Sequence, residues 1–167
     1  MAMKGCKEAY RWLTEEMGKK VNFLTNGTLI TDEWAKRIVN GSTWLYFSIN
    51  GATKETFERV NRGGNLDQIT RNLGRMLTAR ECYDSDIDLV GHYTIVEENI
   101  GEADKFPALA AKMGFDRVEF GFDMSAIPKW LLDNPDEKAR LCESFGALME
   151  NSPVPIRSHR LKYLGLI

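Results

Sequence analysis

No stretch of this 167-residue sequence approaches the roughly 20 consecutive apolar residues of a membrane-spanning helix. Its first residues also lack the apolar core of a secretory signal, so the expected location is cytoplasmic. Histidine is scarce, with only His92 and His159, and the three cysteines, Cys6, Cys82 and Cys142, are odd in number and widely scattered. That distribution argues against a disulfide framework and against a metal site of clustered thiolates. An excess of one charge is missing too. The 22 basic and 24 acidic residues leave a formal net charge of -2, which gives no field to capture nucleic acid or an anionic membrane. The sequence contains no nucleophile elbow, metalloprotease helix motif or phosphate-cradling glycine loop. Low-complexity tracts and linkers are likewise absent. What is there is 43% hydrophobic, enough to bury the core of a single domain over residues 1–167.

The periodicity is that of an α/β chain. Residues 7–17 have helical spacing, and residues 21–24 read as a buried strand stopped by the turn signal Thr25-Asn26-Gly27. Thr31 is placed to cap the next helix, with Asp32 and Glu33 in its first turn, Trp34, Ala35 and Ile38 facing inward, and Gly41 at its end. Residues 44–49, dense in aromatic and branched side chains, predict a second strand that ends at Asn50-Gly51. Thr53 caps a short helix broken at Arg62-Gly63-Gly64. Asn65 and Gln68 then have capping-box spacing for a longer helix with Leu66, Ile69, Leu73, Met76 and Leu77 as its buried stripe. A third strand follows at 87–96, a helix carrying Phe106, Leu109, Ala110 and Met113 that ends at Gly114, and a fourth strand at 117–120. Asn134-Pro135-Asp136-Glu137 starts another helix, and residues 154–156 offer a fifth strand.

Repeated strand, loop and helix imply a parallel sheet with right-handed crossovers, either doubly wound or an arc of a barrel. In both, the site lies beyond the carboxyl ends of the strands, so residues 25–28, 48–52, 97–99 and 121–125 are expected along one rim. Thr25, Asn26, Ser48 and Asn50 are neutral hydrogen-bonding groups, suited to holding a ribose or an amino-acid end rather than to acid–base work. A lone Asn-Gly is a turn, and its repetition after consecutive strands is what points to binding. Arg62 offers a guanidinium fork for a carboxylate beside two glycines, or is a surface arginine in a helix break. His92 falls inside a strand, where a core or interface role competes with a ligand contact.

The series Leu24-Thr25-Asn26-Gly27-Thr28-Leu29, Phe47-Ser48-Ile49-Asn50-Gly51-Ala52-Thr53-Lys54-Glu55-Thr56-Phe57 and Asn61-Arg62-Gly63-Gly64-Asn65 resembles successive landmarks of the radical S-adenosylmethionine (SAM) enzymes. Asn72, Glu98-Asn99 and Lys112-Met113-Gly114-Phe115-Asp116-Arg117-Val118 extend the likeness over residues 21–123, behind a leading helix within 1–20 and ahead of a C-terminal helix and last strand within 124–167. The resemblance implies a partial (βα) barrel of about four to five parallel strands with flanking helices, with SAM across the strand ends and a [4Fe-4S] cluster that cleaves it to a radical. It makes Ser48 the first candidate for contact with SAM and Arg62 a candidate for its carboxylate. Thr25, Asn26 and Asn50 would face the same cleft, Asn50 where many relatives have Asp, and His92 would point into the barrel. The family's CxxxCxxC cluster loop is not in this sequence, so no metal ligands and no cluster are expected in this chain. The expectation is therefore an N-terminally short core, contributing part of a SAM-binding wall and not catalytically competent alone. A non-catalytic binding or scaffold protein, completed by a partner chain or a second copy at the sheet edge of residues 21–24, is the alternative. An unrelated α/β-barrel enzyme is the other.

Overall fold

A computed structural model describes residues 5–167 of the chain. Its strands are β1 (Phe23–Thr25), β2 (Trp44–Ser48), β3 (Asp88–Ile95), β4 (Arg117–Phe122) and β5 (Ile156–Arg157). The α-helices are α1 (Cys6–Arg11), α2 (Asp32–Gly41), α3 (Lys54–Val60), α4 (Leu66–Cys82), α5 (Phe106–Met113), α6 (Ile127–Asp133), α7 (Pro135–Asn151) and α8 (His159–Tyr163). The strands form one sheet in the order β1-β2-β3-β4-β5, and the pairs β1/β2, β3/β4 and β4/β5 are parallel. The α/β class with a parallel sheet is therefore as expected, and the strand order never reverses as it does in a doubly wound sheet. No helix among the described residues is long and apolar enough to cross a membrane. The chain divides into two compact units, residues 1–47 with 67–89 and residues 48–66 with 90–167.

In the first unit, α1 runs into a π-helical turn (Trp12–Glu16), so the helical stretch expected over 7–17 contains one widened turn. Tyr10 packs edge-on to Phe23 and Trp34 at 5.7 and 5.8 Å, and its hydroxyl meets Ser42 Oγ at 2.9 Å. Burying the ring while bonding its hydroxyl is what makes a buried tyrosine favourable. Thr31 Oγ1 accepts the Trp34 N–H at 3.3 Å, capping α2, whose Trp34, Ala35, Ile38 and Val39 are buried. From α4, Ile69, Leu73 and Met76 are buried, as are Leu45 and Phe47 of β2. Strand β1 is shorter than residues 21–24 suggest. The Val21 N–H bonds the Gly41 carbonyl, and the Asn22 side chain accepts the Thr43 and Trp44 N–H groups, which closes the entry to β2 with a side chain instead of a ladder.

The second unit is built on aromatic packing. Tyr93 lies 4.9 Å from Phe106, Phe106 6.1 Å from Phe120, and Phe120 5.3 Å from Phe145, so β3, β4, α5 and α7 share one cluster. Gly91 permits this, since a Cβ there would stand 3.0 Å from the Phe106 ring. Helix α5 stops at Gly114, which adopts a φ of 94°. The fifth strand is two residues later in register than 154–156: Pro155 has no N–H to give a ladder, and its carbonyl instead accepts the Val118 N–H. Asn134 precedes α7 but does not cap it, because its amide donates to the Trp130 carbonyl at 2.8 Å. Helices α6 and α8 and a 3-10 turn (Ile100–Lys105) are additions to the expected element list.

Candidate functional site

Parallel sheets are usually covered on both faces by apolar layers, and in the second unit one face is polar and half-buried instead. Along β4, Val118, Phe120 and Phe122 are buried, whereas Arg117, Glu119 and Gly121 alternate with them and are only half-buried. Strand β3 matches this in register: His92 pairs with Glu119 and Thr94 with Gly121, both half-buried, between the buried Gly91, Tyr93 and Ile95. Ser48, half-buried, ends β2, and the next residue bonds β3 through the Ile49 N–H and the His92 carbonyl at 2.8 Å. The result is a polar sheet face carrying His92, Thr94, Glu119 and Gly121, with the loop after Ser48 at its carboxyl end.

Asn50 and Asn99 shape that loop. Asn50 Oδ1 accepts the Thr94 N–H at 2.9 Å, taking the place of a strand carbonyl after β2 has ended. Its Nδ2 donates to Asn61 Oδ1 at 3.0 Å and to Ser48 Oγ at 3.3 Å. Asn99 is buried, donates from Nδ2 to the Asn50 and Thr94 carbonyls at 3.2 and 2.9 Å, and accepts the Val96 N–H at 2.8 Å. Glu102 accepts the Ala52 N–H at 2.8 Å and the Thr53 hydroxyl at 3.2 Å, placing a carboxylate at the start of α3 where the helix dipole favours it. Thus Ser48 and Asn50 are brought together by a direct hydrogen bond, and Asn50 holds the backbone two residues beyond His92. Arg62 is exposed in the break after α3.

Thr25 and Asn26 lie in the first unit and serve a turn of their own. Thr25 is buried and accepts the Gly27 N–H at 3.1 Å, and the exposed Asn26 accepts the Thr28 N–H and hydroxyl at 3.2 and 2.8 Å. Asn72 of α4 fastens this turn by donating to the Gly27 carbonyl at 2.7 Å. Gly27 is required here twice over: its φ is 72°, and a Cβ would approach the Phe47 ring to 2.8 Å. In the fourth expected loop, Asp123 accepts the Ser125 hydroxyl and N–H at 2.6 and 2.8 Å, bonds that hold its carboxyl below the usual range.

The electrostatics of the polar face centre on His92 and Glu119. Glu119 is shared by Arg157 at 3.2 Å and Arg117 at 3.7 Å. Burial holds the His92 imidazole below its ordinary range. Glu119 opposes that shift and Arg160 reinforces it, so the ring is neutral near neutral pH and able to accept as well as donate a hydrogen bond. Gly121 keeps the floor beside it low, because a Cβ there would lie 3.2 Å from His92 Cε1 and Nε2 and 3.8 Å from Thr94 Oγ1. A glycine within a strand is one of the places where a ligand can approach the backbone.

Cys6 begins α1, Cys82 ends α4 and Cys142 lies within α7, all as free thiols. Among the described residues no three His, Cys, Asp or Glu side chains form a group that could hold a metal ion. Glu102 and Arg157 were not among the residues singled out from sequence. Each acts on a partner about 40 to 50 positions away, and no local pattern carries that information. No protein-family model matches the chain, and no curated protein matches it.

Proposed function

We propose that this chain is part of the wall of a partial (βα) barrel of the radical SAM type, offering its strand-end groups to S-adenosylmethionine without being catalytically competent by itself. The observation that carries this reading is the half-buried polar face of the second unit. A parallel sheet of this kind needs something against its second face, and hydrogen-bonding groups such as Ser48 and Thr94 with the His92 imidazole, beside the Glu119 ion pairs, suit a nucleoside and an amino-acid moiety better than an apolar layer. Ser48 Oγ stands half-buried at the carboxyl end of β2, where it would meet the ribose, and the exposed Arg62 would reach the carboxylate. Asn50 would act by orienting Ser48, since its amide is already committed to Ser48, Asn61 and Thr94. A bound [4Fe-4S] cluster supplies the electron for SAM cleavage in that family, and the CxxxCxxC loop that holds it there is not in this sequence, so no reaction step is assigned to these residues.

Titration calorimetry with SAM tests the reading. Saturable heat with SAM is expected, weakened in Ser48→Ala and in Arg62→Gln, with adenosine binding less tightly than SAM for want of the carboxylate contact. Absence of heat with SAM, or equal heat in both variants and the parent, overturns it. A second reading, a scaffold completed at its sheet edge, draws on the short strand β1 and the half-exposed Leu24 at one end of the sheet order. Sedimentation showing only monomer at high concentration counts against completion by a second copy.

A further inference from the structure

Helix α3 begins with a cap whose parts come from two places in the chain. Thr53 Oγ1 accepts the Thr56 N–H at 3.3 Å, as a capping threonine does. A capping box would complete this with a glutamate or glutamine at position 56, reaching back to the N–H of the cap residue. Position 56 is a threonine, and the carboxylate comes instead from Glu102, 49 residues beyond Thr53. Glu102 accepts the Thr53 hydroxyl at 3.2 Å, the Thr53 N–H at 3.4 Å and the Ala52 N–H at 2.8 Å. It stands on the 3-10 turn (Ile100–Lys105), and Arg140 fastens that turn to α7 on both sides of it. Arg140 donates from Nη2 to the Gly101 carbonyl at 3.2 Å and from Nη1 to Asp104 Oδ2 at 3.0 Å. Its Nε and Nη2 also donate to Glu137 Oε2 and Oε1 at 3.0 and 2.7 Å, so the planar fork is fixed on its own helix. Asp104 Oδ1 is buried with no hydrogen-bond partner among the described residues, which makes the Arg140 ion pair the compensation for this carboxylate. From the head of the turn, Asn99 donates to the Asn50 carbonyl at 3.2 Å, and Asn50 donates to Ser48 Oγ at 3.3 Å. Gly51 leaves no slack against α3, because a Cβ there would lie 2.3 Å from the Phe57 nitrogen. All of these residues belong to the second unit.

We propose that Glu102 and Arg140 are positioning residues for the strand-end loop of residues 48–53, with the 3-10 turn transmitting the hold of Arg140 on α7 to the backbone beside Ser48. Arg140 acts through Glu102: it fixes the turn at Gly101 and Asp104, and Glu102 fixes the Ala52 and Thr53 backbone that leads out of Ser48 and Asn50. A 3-10 turn has poor hydrogen-bond geometry of its own, so the order of this one comes from the side chains that bind it. The inference deepens the reading of this loop as the place where SAM is held, and rests on that reading for the ligand. A loop already held in its bound form costs less to order on binding. Substitution at Arg140 therefore changes affinity without touching the ligand.

Amide hydrogen exchange at Ala52 and Thr53, followed by NMR on the full chain, reads the loop without any ligand. The Tyr93 and Phe120 amides, in strands of the same unit, report its overall stability. Glu102→Ala is expected to speed exchange at Ala52 and Thr53 about tenfold relative to those strand amides. Arg140→Gln removes no bond to either amide, yet is expected to speed the same two in the same sense. In the double variant Ala52 should exchange no faster than in Glu102→Ala alone, because the two residues act in series. Arg140→Lys keeps a cation beside Asp104 where Arg140→Gln does not fold, and without the fork it should still loosen Ala52. Acceleration no greater at Ala52 and Thr53 than at Tyr93 and Phe120, or additive effects in the double variant, overturns the proposal. Titration calorimetry with SAM separates its failure from that of the binding reading. Affinity for SAM is expected to fall about threefold to tenfold in Arg140→Gln. Heat with SAM that is equal in parent and variant sinks the positioning role alone, whereas coupled exchange without SAM heat in the parent sinks the SAM reading alone.

Discussion

The two units bury the same kind of strand face and differ in the other. In the first, Leu45 and Phe47 of β2 are buried, and the alternate positions, Leu24 of β1 with Trp44 and Tyr46 of β2, are apolar or aromatic, the two rings 4.6 Å apart. In the second, Val118, Phe120 and Phe122 are buried, and the alternate positions are His92, Thr94, Glu119 and Gly121. Period-two alternation dictates that each strand has two faces, but packing dictates the chemistry of only one of them. Where the other face is polar and half-buried, its residues cost stability unless they are paired or meet a ligand.

The largest expected effect tests whether the buried face carries the stability of that unit. Phe120→Ala removes the ring that touches both Phe106 and Phe145 and should destabilise by about 3–5 kcal/mol, measured by urea unfolding. A loss near zero would mean that the two faces are not divided in this way. Next comes the seam between strand ends. Asn50→Ala leaves the Thr94 N–H without its acceptor and should cost about 1–3 kcal/mol. It should also weaken SAM binding through Ser48 if the proposed function holds. A purely structural Asn50 would lower the unfolding midpoint and leave the calorimetric affinity intact.

In the first unit, Thr31→Ala removes the cap of α2 and should cost about 1 kcal/mol by the same measurement, without effect on amide exchange at Ala52. The smallest effect is a pH dependence confined to the second unit. The folded state holds the His92 imidazole below its unfolded value. The unfolded chain therefore binds more protons as pH falls through about 6.5, and stability declines with acidification in that window. Unfolding midpoints between neutral pH and about pH 5 should fall in the parent and fall less in His92→Gln. An identical decline in both would assign it to other groups.

Much of this was legible in the sequence for identifiable reasons. The caps at Thr31 and Thr53, the glycine stop at Gly114 and the alternating runs at 44–48 and 88–95 are local signals, each set by residues within one turn or one strand. The short strand β5 and the helices α6 and α8 were less visible, because Pro153 and Pro155 interrupt the run around Val154 and α8 is only five residues long. For the candidate site, Ser48, Asn50 and His92 could be named from their positions at or near strand ends. The commitment of the Asn50 amide to Thr94, 44 residues later, could not.

What the sequence by itself determined is the order of strands and helices, the parallel character of the sheet that helical crossovers imply, and the buried side of each element, because these follow from periodicity and from caps that act over a few residues. Only the tertiary structure decided the strand order without reversal, the sharing of Glu119 by Arg117 and Arg157, and the place of Gly121 beside His92. Those depend on which residues far apart in the chain are brought within a few ångströms, and hydrogen bonds and ion pairs are selective only at that range.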